Sequence, residues 1–168
     1  MSLWRHIRAI GLLPVTVTVV VPAVLLAVTD PAGVGWGVPS LTALAGAALI
    51  AAGVSLVVWT IGLFGTEGEG TLAPWDPTSR LVVRGPYRHV RNPMIIGVGC
   101  IVAGEAVLFG SVALLAWLAV VAALNAVYMP LVEEPGLERR FGDDYLRYRR
   151  AVPRWVPTTR PGRRSRGT

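Results

Sequence analysis

The sequence predicts an all-α membrane protein with about four transmembrane helices, a cytoplasmic loop cap and a C-terminal amphipathic helix. Three observations carry this. Four apolar segments, Ile10–Val28, Leu41–Phe64, Met94–Phe109 and Val112–Met129, reach or approach the roughly 20 residues that cross a bilayer. Of the 168 residues 53% are apolar and 15% charged, below the roughly one quarter charged in soluble domains. All 16 basic residues are arginine and they cluster: Arg5 and Arg8 before the first span, Arg80, Arg84, Arg88 and Arg91 before the third, the rest beyond Met129. With four spans, the positive-inside rule then puts both termini and the central loop in the cytoplasm.

Each element follows in order. Pro14 and Pro22 kink the first span, and neighbouring helices can satisfy the carbonyls they free. Its apolar run is too long for a signal-peptide core and lacks a small-residue cleavage site, so it reads as an uncleaved span. The second span carries Ala43, Ala47, Ala51 and Ser55 at four-residue spacing, a stripe that predicts close helix packing. Gly65–Asn92 is a long Gly/Pro-containing loop, expected to be an ordered cap with Trp75 at the interface and a short extended run at Leu81-Val82-Val83. Only Gly110-Ser111 separates the third and fourth spans, which therefore form a tight helical hairpin.

Beyond it, Leu137, Phe141, Tyr145 and Tyr148 share one face of a helix that Pro135 can start. Arg140 with Asp144, and Asp143 with Arg147, are i,i+4 pairs on its polar side. The amphipathic helix can lie on the membrane or over the loop. Val152-Pro153-Arg154-Trp155 ends it, and from Thr158 the chain reads as a disordered basic tail. Residues 1–157 are thus one domain, with its motifs in 71–157, and 158–168 are the tail.

The net charge of +6 flanks apolar spans, where anionic headgroups explain it better than nucleic acid. Cys100 is the sole cysteine and lies in a span, so neither a disulfide nor a cysteine metal site is expected, and no second histidine completes a metal set. Arginine in place of lysine, with much Ala, Val and Gly, suggests a bacterial inner-membrane protein. The oligomeric state is open.

Two segments can carry chemistry. Gly85 to Gly97 (Gly-Pro-Tyr-Arg-His-Val-Arg-Asn-Pro-Met-Ile-Ile-Gly) enters the third span, and Glu133-Glu134 leaves the fourth between Pro130 and Pro135. The hairpin brings its two open ends together. A carboxylate pair there can hold a cationic or hydroxyl-bearing ligand, while the lipid beside it presents an apolar substrate. Taken alone, the pair reads as a hydrated helix end; its place opposite Arg91 favours a site. Arg84 and Arg88 read as topology anchors and His89 as a surface histidine. Glu105 is a carboxyl within a span, a functional position by default. Its nearness to Gly110-Ser111, away from the site, assigns it to an outer-interface or helix-pairing role.

On Gly85, Tyr87, Arg91, Pro93, Gly97, Glu133-Glu134, Phe141-Gly142, Tyr145, Tyr148 and Val152-Pro153, the chain resembles the integral membrane methyltransferases that include isoprenylcysteine carboxyl methyltransferase and the phospholipid N-methyltransferases. The resemblance spans Thr71 to Pro157; the order and spacing of its pieces are more specific than any one. It implies methyl transfer from S-adenosylmethionine to a lipophilic acceptor, an isoprenoid carboxylate or a lipid amine, entering from the bilayer. It also implies a cofactor site lined by Arg80, Leu81, Val82, Tyr87, Asn92, Pro93, Met94, Ile95 and Glu133, with Glu134 in support. Arg91 or His89 would meet the cofactor carboxylate, and Gly97 permits close approach of a backbone or ligand. No catalytic acid or base is assigned.

Three positions depart from the pattern. Asn92 replaces a histidine and can still hydrogen-bond; Ile95 replaces a tyrosine and offers packing. Met129 stands where the prenylcysteine enzyme carries an arginine for its substrate, which argues against a prenylcysteine acceptor and leaves the cofactor assignment standing. Two other functions fit the same pattern: an NADPH-dependent reductase of unsaturated lipids, and a non-catalytic membrane scaffold.

Overall fold

A computed structural model describes residues 14–29, 40–67 and 81–159. The expectations for Trp75, Arg80 and the rest of residues 68–80 of the central loop, and for nearly all of the basic tail, fall outside these residues. Among the described residues the chain is helical with no strand, as an all-α membrane protein requires. α1 (Thr16–Thr29), α2 (Ser40–Glu67), α3 (Pro93–Phe109) and α4 (Val112–Tyr128) match the four apolar segments. Of these, α2 and the continuous helix Val112–Phe141 are long and apolar enough to cross a membrane; α1 and α3 are shorter apolar helices. Past α4, a π-helical turn at Met129–Glu133 leads into α5 (Glu134–Phe141), and α6 (Asp143–Ala151) follows.

The helix Val112–Phe141 rises about 45 Å, against a hydrocarbon core of about 30 Å. About a third of its length is therefore more than a span needs, and Glu133 lies about 32 Å from the start of α4. The turn that carries the glutamates is widened: the Glu134 N–H reaches back five residues to the Met129 carbonyl, and Pro130 within that turn has no N–H to give the ladder.

α3 is the centre of the bundle, against α2 on one side and α4 and the π-turn of α1 on the others. Glycines set its approach to α2. A Cβ on Gly53 would lie 2.6 Å from the Gly97 carbonyl oxygen, and one on Gly104 would lie 2.6 Å from that of Gly46. The seven-residue spacing of Gly46–Gly53 runs antiparallel to that of Gly97–Gly104, so backbones touch at two points one heptad apart. The Ala43-to-Ser55 stripe is not the contact: Ala47, Ala51 and Ser55 are exposed. Glycine, which lets the backbones themselves meet, outcompetes alanine for the seam.

In the first span a neighbouring helix meets a freed carbonyl, as expected. Its opening turn, Thr16–Val20, is π-helical, with the Val21 N–H bonded to the Thr16 carbonyl. The Val17 carbonyl accepts instead from the Trp117 indole of α4, at 3.0 Å. At the hairpin, Gly110 adopts φ 60°, Ser111 N–H reaches the Ala106 carbonyl at 3.0 Å, and Ser111 Oγ accepts from the Leu114 N–H.

The expected single amphipathic helix is two, α5 and α6, broken at Gly142 with φ 52°. Its apolar face nonetheless holds together: Tyr145, Tyr148 and Val152 form a cluster with Leu137 and Phe141. Leu81 and Val83 of the loop pack on the same cluster, so the helices lie over the loop. The break also changes the charge pairs, since Arg147 pairs with Asp144 one turn away and the Arg140 guanidinium sits over the Phe141 ring.

Candidate functional site

The site forms where the hairpin opens. Gly85 begins a short 3-10 turn, Gly85–Arg88, with φ 53° and no room for a side chain, because a Cβ would meet Leu63 and Trp59 of α2 at 3.0 and 3.2 Å. This turn buries Tyr87, and the Tyr148 hydroxyl donates to the Tyr87 carbonyl at 2.8 Å. Burial pushes both phenols far above their ordinary range, with neighbouring Tyr148 and Glu133 adding to the effect on Tyr87. Both hydroxyls are therefore neutral at any working pH.

The two glutamates, adjacent in sequence, have opposite surroundings. Glu134 is buried at the centre of an arginine cluster. It accepts from Arg91 Nη1 at 2.7 Å, and from Arg154 Nε and Nη2 at 2.6 and 2.9 Å. Arg149 stands at 3.8 Å. Desolvation raises the Glu134 carboxyl, but the Arg154 hydrogen bonds and the charges of Arg91, Arg154 and Arg149 outweigh it, and the net direction is down. Glu133 is half-buried, and among the described residues no side chain or backbone N–H bonds its carboxylate. Desolvation pushes it up, the Arg140 charge only partly opposing. One carboxylate is bonded and held charged; its neighbour is desolvated and has no bonded partner among the described residues.

The same network binds a C-terminal strap, residues 152–158, across the motif loop. Arg91 N–H donates to the Pro153 carbonyl and Thr158 N–H to the His89 carbonyl, each at 2.9 Å. His89 Nδ1 lies 2.8 Å from the Thr158 carbonyl, and Asn92 Nδ2 donates to the Arg154 carbonyl at 3.4 Å. Arg91 also donates to the Tyr145 hydroxyl at 3.3 Å. Arg91 and His89, expected to meet a cofactor carboxylate, are thus committed to Glu134 and the strap. Asn92 is committed likewise, and Thr158, expected in a disordered tail, is tied down. Gly97 meets the backbone of α2 rather than a ligand: a Cβ there would lie 2.8 Å from Val57 and 3.0 Å from the Gly53 carbonyl. Val82 and Pro93 are buried, Leu81 joins the tyrosine cluster, and Met94 is half-buried.

Beside the site, a cleft of about 340 Å³ opens between α3 and α4. Ile95, Ile96 and Gly99 form one wall, Leu118, Val121 and Ala122 the other. Ile95, expected near a cofactor, serves here as apolar wall. Asn125 and Trp155 also line the cleft, and Asn125 is its one polar side chain besides the Trp155 indole. Sequence reasoning missed Asn125, Arg154 and Trp155. Arg154 and Trp155 lay in a segment that reads only as a helix terminus, and Asn125 was one polar residue in an apolar run.

A helical hairpin with a carboxylate pair at its open end and an apolar cleft beside it defines a class of protein, an all-α membrane protein with a polar cluster where the hairpin opens. The chain belongs to the phospholipid methyltransferase family, whose profile matches residues 41–144. The family is one of membrane methyltransferases acting on lipids. The match covers α2 through the start of α6, and so both the glycine seam and the glutamate pair. Searches of curated proteins and of solved structures return no match.

Proposed function

We propose that the chain transfers a methyl group from S-adenosylmethionine to the amine of a membrane lipid, at the face where its arginines cluster and which we assign to the cytoplasm of a bacterial cell. The observation that carries this reading is Glu133, a desolvated carboxylate with no bonded partner among the described residues, set beside Tyr87 at the open end of a family-matched hairpin. S-adenosylmethionine would supply a methyl group on a sulfonium. The donor set suits it: Glu133 would hold its ammonium or ribose hydroxyls through charge-assisted bonds, and Arg140, the cation that offsets the Glu133 charge, would meet its carboxylate. Tyr87 and the strap would shut out water, and Glu134 would act only by fixing the loop and strap around the site.

A lipid amine suits the surroundings better than a lipid carboxylate. Among the described residues no guanidinium lines the cleft, Arg91 and Arg154 are committed to Glu134, and Met129 occupies the position where the prenylcysteine enzyme carries an arginine. The purified protein in detergent is expected to bind S-adenosylhomocysteine, with Glu133→Gln weakening it at least tenfold. It is also expected to label phosphatidylethanolamine from methyl-labelled S-adenosylmethionine. Unchanged S-adenosylhomocysteine affinity in Glu133→Gln would remove Glu133 from the site.

A further inference from the structure

Asn125 is the polar exception in the cleft between α3 and α4. Its side-chain nitrogen donates to the Val121 carbonyl at 2.8 Å, a bond that fixes the amide orientation, since only a donor can face a carbonyl. One amide N–H and the Oδ1 lone pairs then remain without a partner among the described residues, on a half-buried side chain facing a cleft whose other walls are apolar. In hydrocarbon such groups find no water, so they are favourable only when a ligand supplies the complementary donor or acceptor. Eight residues of helix place Asn125 about 12 Å deeper than Glu133 along the same element.

That depth has a chemical meaning. A lipid with its amine near Glu133 and a hydrocarbon chain against Ile95, Gly99 and Ala122 must carry its linkage region past Asn125. The ester carbonyls of a glycerophospholipid lie below the headgroup nitrogen by a comparable span, and each can accept the free amide N–H. We infer that Asn125 is a specificity-determining residue that reads the ester linkage of the acceptor lipid, with Trp155 closing the mouth of the cleft above it. This rests on the lipid-amine reading above. It separates glycerophospholipids from simple long-chain amines, which share the nitrogen and the hydrocarbon but lack the linkage.

The test uses two probes on the purified full chain in detergent: dioleoyl phosphatidylethanolamine, and octadecylamine, which has no ester. Retention of each is measured by native mass spectrometry in wild type, Asn125→Leu and Asn125→Gln. Loss of one neutral hydrogen bond predicts roughly two- to tenfold weaker phosphatidylethanolamine retention in Asn125→Leu, octadecylamine unchanged, and partial recovery in Asn125→Gln. Equal weakening of both probes, or of neither, overturns the assignment. S-adenosylhomocysteine affinity in the same samples separates the two levels. If it is intact while the lipid preference does not move, Asn125 alone loses its role; if wild type lacks it, the methyl-transfer reading fails.

Discussion

Replacing Glu134 by glutamine should unfold the protein more readily than any other single change at the site, and replacing Glu133 should not. The Glu134 side chain is 6% exposed and its partner Arg91 is 11% exposed. Removing the carboxylate charge leaves Arg91 buried with its Nε already unpartnered, and strips Arg154 of a bidentate acceptor. Breaking a buried pair in this way costs about 3–5 kcal/mol, because the orphaned charge keeps its desolvation penalty. Arg149, nearly half exposed at 3.8 Å, adds little. For a chain of this size the loss corresponds to about 6–20 °C in melting temperature. Cys100, the sole cysteine and half-buried in α3, supplies the assay: a thiol-reactive fluorophore reports unfolding in detergent as the thiol is exposed. A Glu134→Gln melt within 2–3 °C of wild type, under about 1 kcal/mol, would refute a structural role for the arginine cluster.

The two carboxyls also carry opposite pH signs. Glu134 has a lowered folded value, so its contribution is fully present above the unfolded carboxyl value of about 4.3 and is lost as pH falls through the lower folded value. Glu133 has a raised folded value, so its ionised form opposes folding at neutral pH and protonation relieves it. Glu133→Gln should therefore leave the melt at pH 7 unchanged or slightly higher while weakening S-adenosylhomocysteine binding at least tenfold.

Three further outcomes are expected. Gly104→Ala should destabilise by about 1–3 kcal/mol, since its Cβ would meet the Gly46 carbonyl oxygen at 2.6 Å. Gly62→Ala, with nothing within 4 Å of its Cβ, should be neutral or stabilising; equal melts for the two variants would contradict the seam. Trp117→Phe removes the donor to the Val17 carbonyl and should cost about 0.5–2 kcal/mol, read in the same melt. Arg154→Met should loosen the strap, visible as faster amide exchange at Thr158, whose N–H bonds the His89 carbonyl; unchanged exchange would show that the backbone bonds hold the strap alone.

The apolar segments and the hairpin were legible because each depends on local composition: apolar length, and Gly-Ser at a turn. The tyrosine face was legible for the same reason, as Leu137, Phe141, Tyr145 and Tyr148 repeat with helical spacing. The break at Gly142 was hidden because a glycine inside a periodic run does not by itself disclose a left-handed backbone. The α2–α3 seam was hidden for a different reason. Alanine and serine at four-residue spacing look like a contact face, and only the opposing helix reveals that Gly46 and Gly53 are the residues that meet a backbone.

The role of Arg91 depends on the part of the chain least legible in sequence. Beside a glutamate pair, an arginine can serve a ligand or a carboxylate of its own chain, and the spacing of Arg91 to Glu134 allows both. What decides is Arg154, which approaches from beyond α6 and completes a cluster of one carboxylate and two guanidiniums. With Glu134 neutralised in this way, the adjacent Glu133 keeps only the partial opposition of the Arg140 charge to its desolvation. Two identical side chains in sequence are thus divided by the strap: one latches the loop, and the other is left desolvated beside Tyr87, where a positively charged ligand would offset its charge.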